Sequence, residues 1–454
     1  MIRTLTAGDD TPHTPQDALI PPAPHTQQAP DSVQAPDSVQ APDAPVGPQN
    51  DPILIRAGSP EELLAVVPHL LGFVPQASLV VIGVEPPRHR VKVTLRYDLP
   101  DPPGAGVAAD VADHAIAVIG SQRLNALVAV GYGPRMLVDP VADALRAAAR
   151  TAGIDVADVL RAEDARYWSY LCADEACCPS AGTPFDPGAH RAAAVAADAA
   201  VAADAAVAAD AAAGAGEGYR VLADRAAVAA RVAPLGGIAA ESMRQATRRA
   251  ERHVSQVLAK VRKSARLGAA RQMIAAEGLN AVGSMIAAYR GGGKYATDYQ
   301  IAWITVALRD LRVRDDAWAR MDPRYRDAHR RLWIDVTQRA QPGYVAAPAA
   351  LLAFVAWQSG DGALANVALD RALADEPRYS MAQLLRQVIT AGAPPSLARL
   401  PMTPEEVAAS YDEASDEASD EASDEASDEA SDEASYDDHD PDPGVHDPDS
   451  MNEQ

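Results

Sequence analysis

From Asp412 to Ser435 the chain repeats the four residues Asp-Glu-Ala-Ser six times without interruption. Such a run places two acids in every four residues and offers no large apolar side chain. It cannot offset its own ordering entropy by burial, and its like charges repel, so it is expected to stay extended and solvated. The opposite end has the same character: residues 1–51 are rich in Pro, Asp and Gln and carry an imperfect repeat, QAPDSV-QAPDSV-QAPDAP. Folding is therefore expected between two solvated ends. Those ends also own the acidity of the chain. Pro404 to Gln454 holds 21 acidic residues and no Lys or Arg, and Met1 to Asp51 holds seven acids against Arg3. The formal net charge of −23 leaves 39 basic and 35 acidic residues between them, so the middle is close to neutral and slightly basic. A low isoelectric point says nothing here about the folded part.

The middle divides in two by periodicity. After a short apolar run at Ile53–Ile55, Ser59 and Pro60 have the chemistry of an N-cap and first helical residue. Leu63, Leu64, Val67, Leu70 and Leu71 follow at helical spacing, and Gly72 stands where a left-handed C-cap belongs. Residues 78–84 form a continuous apolar run, and Val91, Val93, Leu95 and Tyr97 alternate with polar residues, which predicts one buried and one half-exposed strand. Helices around 107–119 and 138–149 and strands around 126–130, 156–160 and 167–171 complete an α/β module over 52–188 with a mixed sheet. An alanine-rich low-complexity insertion follows at 189–218, repeating AADAAV. From 219 to 397 the signals are helical throughout, with helices expected over 221–232, 238–266, 270–289, 297–310, 323–340, 347–358, 362–374 and 379–391. The hairpin around Gly360-Asp361-Gly362, followed by Pro377, is tetratricopeptide-like in its small-residue spacing. The remaining residues, 398–454, are assigned to the acidic tail.

Three segments invite a chemical reading. Tyr167-Trp168-Ser169-Tyr170 runs into Cys172, Cys177 and Cys178, the chain's three cysteines. The aromatic stretch is a candidate ligand-binding surface, and it equally suits a core. Thiolates at C-x4-CC can supply ligands to zinc, but adjacent cysteines rarely share one ion, and no second C-x2–4-C pair follows. A redox-responsive cluster is a further option, and a buried inert cluster closing a strand end is the simpler expectation. The second segment, 244–271, carries Arg248, Arg249, Arg252, Lys260, Arg262, Lys263 and Arg266 among nine basic residues against Glu251, with an apolar stripe through Met243, Val254, Val257 and Leu258. A basic amphipathic helix can meet nucleic acid or another polyanion, including the chain's own acidic tail; a solvated surface helix is the simpler reading. The third, Arg290-Gly291-Gly292-Gly293-Lys294, lacks the G-x4-GK-[ST] spacing of a phosphate loop and reads as a connection, with Thr297 or Asp298 capping the next helix. No G-x-S-x-G, H-E-x-x-H or G-x-G-x-x-G motif occurs.

Leu70–Pro75 with Ser78–Val81, Tyr167–Cys172 with Cys177-Cys178-Pro179 and Gly182-Thr183-Pro184, Val313–Trp318, and Gly360–Leu373 together resemble an actinobacterial family of domains of unknown function, number 4192. The resemblance spans about residues 53–395. It implies an actinobacterial, cytoplasmic origin and assigns no activity. The lack of an apolar signal region and of a membrane-length apolar run points the same way on location. The residues favour a small-ligand or protein-binding module. The competing expectations are an enzyme whose site lies between the modules around Tyr167–Cys178 and a nucleic-acid-associated regulator using 244–271.

Overall fold

Strand β1 (Ser78–Glu85) is buried from Ser78 to Val84 because both faces of its sheet are covered. Leu79 and Val81 point into one hydrophobic cluster, with α2 (Ala105–Ser121) and α3 (Arg135–Ala152). Val80, Ile82 and Val84 point into another, with α1 (Pro60–Leu71). The period of two thus sends alternate residues to opposite layers, and both must be apolar. The computed structural model describes residues 59–86, 90–187, 221–262, 267–293, 296–397 and 403–413. They fall within one compact unit, Asn50–Gln454. Ile53–Ile55, the alanine-rich insertion and most of both acidic ends lie outside the described residues.

Six strands occur among the described residues, in the order β2-β1-β3-β4-β5-β6. Strand β2 (Arg90–Asp98) pairs antiparallel with β1, and β1 antiparallel with β3 (Ala126–Tyr132). The parallel step is β3 to β4 (Asp155–Glu163), joined by α3, and β5 (Arg166–Ser169) and β6 (Thr183–Pro184) extend the edge antiparallel. The mixed sheet expected from the sequence is present. So are the caps of α1: Ser59 Oγ accepts from Glu62 N at 3.3 Å, and Gly72 adopts φ 74°. Gly83 is required where α2 crosses β1, because a Cβ there would lie 2.6 Å from Ile119 and 2.7 Å from Leu124.

The helical module comprises α4 (Arg225–Ala230), α5 (Gly237–Arg262), α6 (Leu267–Arg290), α7 (Asp298–Ala307), α8 (Leu311–Ala319), α9 (Arg326–Arg339), α10 (Ala346–Gln358), α11 (Gly362–Asp375), α12 (Ser380–Thr390) and a last helix, α13, over 404–413. Every residue of α10 from Ala346 to Trp357 is buried. A helix with no polar face must be enclosed, and α8, α9, α11 and α12 pack around it. Helices α10 and α11 form the expected hairpin, turned by Gly360 at φ 78° and capped by Asp361, which accepts from Leu364 N at 2.9 Å. Two helices depart from the expected pattern. Leu311–Ala319 is a separate helix begun by its own N-cap, Asp310, which accepts from Arg312 N. Thr403 starts α13, assigned by sequence to the tail, through a reciprocal cap with Glu406, and Val407 is 5% exposed. The capping signal and one apolar anchor outweighed the surrounding acidity.

The two modules meet along a short seam. Phe73, directly after α1, belongs to the helical core and bridges Leu222, whose N–H donates to Gly72 O at 2.8 Å and whose carbonyl accepts from Val74 N at 3.1 Å. At a second contact Gln122 Nε2 donates to Gly392 O at 3.0 Å. Inside the helical module the 8%-exposed Arg339 ties its own helix to the start of α7, donating to Ala296 O at 2.9 Å and pairing with Asp335 at 3.2 Å and with Asp298. Removing that guanidinium leaves Asp335 and Asp298 without their cation, each keeping one hydroxyl donor, Tyr289 and Ser242. Arg339→Met should cost about 3 kcal/mol in urea denaturation at neutral pH. Asp298, held below the usual carboxylate range by Ser242 and by Arg339, gains its stabilisation above the ordinary value of 3.8. The wild-type advantage should therefore shrink as pH falls below that value toward the depressed folded-state pKa.

Candidate functional site

Strand β5 gives each side chain of Tyr167–Ser169 a neighbour on β4, with Ala162 opposite Tyr167, Arg161 opposite Trp168 and Leu160 opposite Ser169. The Tyr167 hydroxyl donates to Glu61 on α1 at 2.5 Å, and burial, then Glu61, pushes its pKa up to about 12. The Tyr170 hydroxyl reaches the opposite layer and donates to Asp139 on α3 at 2.5 Å; its pKa is raised by burial and by that carboxylate. Trp168 lies 3.6 Å under the Arg161 guanidinium, and its Nε1 donates to Ser180 O at 3.1 Å. The loop returns against the ring at Gly182, where a Cβ would stand 2.5 Å from the indole. Ser169 Oγ donates to Asp158 at 3.1 Å and accepts the N–H groups of Leu171 and Cys172 at 3.2 Å. Burial raises the Asp158 pKa against those hydrogen bonds. Of the four residues named as a ligand surface, Tyr167 and Tyr170 tie the sheet edge to the covering layers, and Trp168 and Ser169 tie it to β4 and the loop that follows.

The thiols that follow are arranged differently. A turn built on Asp174, whose carbonyl accepts from Cys177 N at 3.1 Å and Cys178 N at 2.7 Å, brings the Sγ atoms of Cys172, Cys177 and Cys178 within 4.8 Å of one another. Cys177 is exposed and the other two are half-buried, all as free thiols. The expectation of a buried inert cluster is corrected: the turn holds the sulfurs at the surface. The hydrogen bond with Cys178 lowers the pKa of Cys172, and the same bond, then burial, pushes that of Cys178 up to about 12.

The basic segment is not one helix. Arg248, Arg249, Arg252 and Lys260 are exposed on α5, which ends at Arg262, and Leu267 opens α6; Lys263 and Arg266 lie outside the described residues. The buried stripe is Met243, Thr247 and Ala250. Glu241 takes Arg244 at 2.5 Å and Arg248 at 3.6 Å, and Arg249 covers Tyr299 at 4.6 Å. The described start of the acidic tail docks elsewhere, on α8: Tyr411 donates to Asp315 at 2.7 Å, and Asp412 pairs with Arg312 at 2.8 Å. The glycine run caps α6. Gly291, Gly292 and Gly293 donate their N–H groups to Ala287, Tyr289 and Ala288 carbonyls at 3.0, 3.3 and 2.8 Å. No donor of these three faces a phosphate, and Thr297 caps α7 in a full capping box with Gln300.

Sequence reasoning missed the cavity just before that run. About 800 Å³ opens between the last turns of α6, the end of α8 with the turn after it, and the first turn of α13. Ile286 and Met321, both buried, supply apolar wall, and Arg290 contributes a guanidinium lying 3.6 Å over Tyr325. The other charges at the rim are answered locally: Arg320 by Asp316 at 2.6 and 2.8 Å, Asp322 by Arg324 at 2.8 Å, and Glu406 by Thr403 N at 2.7 Å. Among the described residues no carboxylate forms an ion pair with Arg290. Behind the rim, His329 is 1% exposed with no hydrogen-bond partner for either ring nitrogen among the described residues. Nothing in the chain spacing announces this site, because its walls come from 283–290, 319–323 and 403–406.

His329 gives the helical module a pH signature. Burial, then the Arg290 charge, lowers its pKa from 6.5 to about 4, with Asp322 opposing. The unfolded chain binds this proton more readily, so stability is full above 6.5 and declines as pH falls toward 4. His329→Leu should flatten that limb of the stability–pH curve, by at most about 3 kcal/mol at its acid end. Denaturation midpoints measured across the window check this. The same slope in the variant would show that His329 is not the group responsible.

No curated protein and no solved structure matches this chain. A family model described as Domain of unknown function (DUF4192) matches residues 60–396, from the first turn of α1 to just beyond α12. That span covers the mixed sheet, the thiol turn, the basic helix and two of the three walls of the cavity, and the chain belongs to the DUF4192 family.

Proposed function

We propose that this protein is a small-ligand-binding protein whose helical module takes an amphipathic anion, of the carboxylate class, in the cavity beside Arg290. The observation that carries this reading is that Arg290 forms no ion pair among the described residues. Arg290 stands at the rim on the Tyr325 ring while Arg320, Asp322 and Glu406 are each satisfied by a neighbour. A cavity of about 800 Å³ with apolar wall, and with Arg290 as the one charged rim residue that has no ion pair or cap among the described residues, has the chemistry usual of metabolite pockets. The planar guanidinium, preorganised by stacking, can meet a carboxylate with two parallel hydrogen bonds. Ile286 and Met321 would receive the apolar part of the ligand. An anion bound at Arg290 would also offset the positive charge that adds to burial in disfavouring His329 protonation, which couples occupancy to that histidine's titration.

The test uses a probe rather than the unidentified ligand. Full-length protein should enhance the fluorescence of 8-anilinonaphthalene-1-sulfonate saturably. Arg290→Gln should weaken that binding at least about tenfold, the worth of one hydrogen bond to a charged group. Gly283 lines the cavity, and nothing lies within 4 Å of a Cβ added there. Gly283→Phe should therefore fill the space and abolish binding without lowering the melting temperature. The uncharged N-phenyl-1-naphthylamine should be indifferent to Arg290→Gln. Equal sulfonate affinity in wild type and Arg290→Gln would sink the reading.

A further inference from the structure

The strongest unassigned chemistry lies in the α/β module, apart from the cavity. Three soft ligand atoms, the Sγ atoms of Cys172, Cys177 and Cys178, lie within 4.8 Å of one another on one surface turn. Among the described residues no other group of three or more His, Cys, Asp or Glu side chains converges in this way. The backbone of the turn is fixed without the sulfurs' help. Cys177 N and Cys178 N are bound to Asp174 O, Ala176 N donates to the Asp174 carboxylate at 2.9 Å, and Cys172 N is held by Ser169 Oγ. Adjacent cysteines seldom point at one centre, but here a tight turn folds Cys177 and Cys178 back over Cys172.

We propose that Cys172, Cys177 and Cys178 form a zinc site, three thiolates with water in the fourth position, which clamps the loop between β5 and β6. Tetrahedral zinc with bonds of about 2.3 Å sets its sulfurs about 3.8 Å apart. The observed separations need to contract by no more than about 1 Å, a change that side-chain rotation at exposed Cys177 can supply. Binding exchanges three S–H bonds for three Zn–S bonds and releases the thiol protons to solvent, so affinity rises with pH. A closed loop would in turn press Gly182 against Trp168 and hold Arg166 on the carbonyls of Ala181 and Gly182.

These are the chain's three cysteines, so any thiolate-to-metal signal must come from this site. Full-length protein, reduced with a phosphine and stripped with a chelator, should bind one equivalent of zinc in competition with a chromophoric chelator. Cobalt should give a thiolate charge-transfer band together with visible bands typical of tetrahedral coordination. Cys177→Ser, an exposed change that leaves the core untouched, should weaken zinc at least about tenfold. A readout that needs no variant guards against misfolding: in wild-type protein all three thiols should alkylate in the chelated sample and be protected when zinc is present. Unprotected alkylation, absence of the cobalt band, or unchanged zinc affinity in Cys177→Ser would each overturn the proposal, as would a Cys172–Cys178 disulfide forming in place of metal binding under mild oxidation.

Discussion

The helical half of this protein is organised by the burial of α10. From Ala346 to Trp357 the helix offers no polar face to water, so neighbours must surround it. Its small residues let those neighbours approach closely, while Phe354 and Trp357 anchor one end through edge-on ring contacts with Trp318 and with each other. With helix faces committed to that centre, polar chemistry is displaced to helix ends. Each end carries unsatisfied backbone groups that recruit Asp, Thr and Glu as caps. Asp310, Asp322, Thr297 and the Thr403–Glu406 pair all serve this way. The cavity opens where three such ends meet without filling the space between them.

The α/β half follows a different constraint. Its sheet is covered on both faces, and its short outer strands are stapled to the covering layers. Tyr167 and Tyr170 reach α1 and α3 on opposite faces, and Arg161 stacks on Trp168. That stapling uses the polar atoms of the aromatic segment, while the thiols one turn later engage one another and their own turn. The seam through Phe73 and Leu222 joins the halves by backbone pairing and one inserted ring, a small contact that nonetheless makes Phe73 part of the helical core.

Much of the architecture is local and therefore legible. Ser59, Pro60 and Gly72 bound α1 as written, since caps depend only on the residues beside them. The continuous apolar run of β1 named its full burial; along β2 the alternation is not mirrored, since Thr94 and Arg96 are half-buried like Val93 and Leu95. Leu311–Ala319 was missed because its stripe is weak and a preceding helix ends three residues earlier; the one local signal was Asp310 as an N-cap. The helix over 404–413 was hidden by the acidic repeat it leads into. The break inside the basic segment, expected between 266 and 270, falls between Arg262 and Leu267.

What the sequence settled by itself was therefore short-range: element type, caps, the mixed α/β-then-α order, the location of the acidic charge and the presence of three clustered cysteines. The tertiary structure decided which groups remain available for chemistry. Availability is a remainder, set by which donors and acceptors other segments consume. The amides of Gly291–Gly293 are consumed by their own helix, and Tyr167, Ser169 and Tyr170 by Glu61, Asp158 and Asp139. Among the described residues, Arg290 forms no ion pair with a carboxylate and the three thiols converge on one turn.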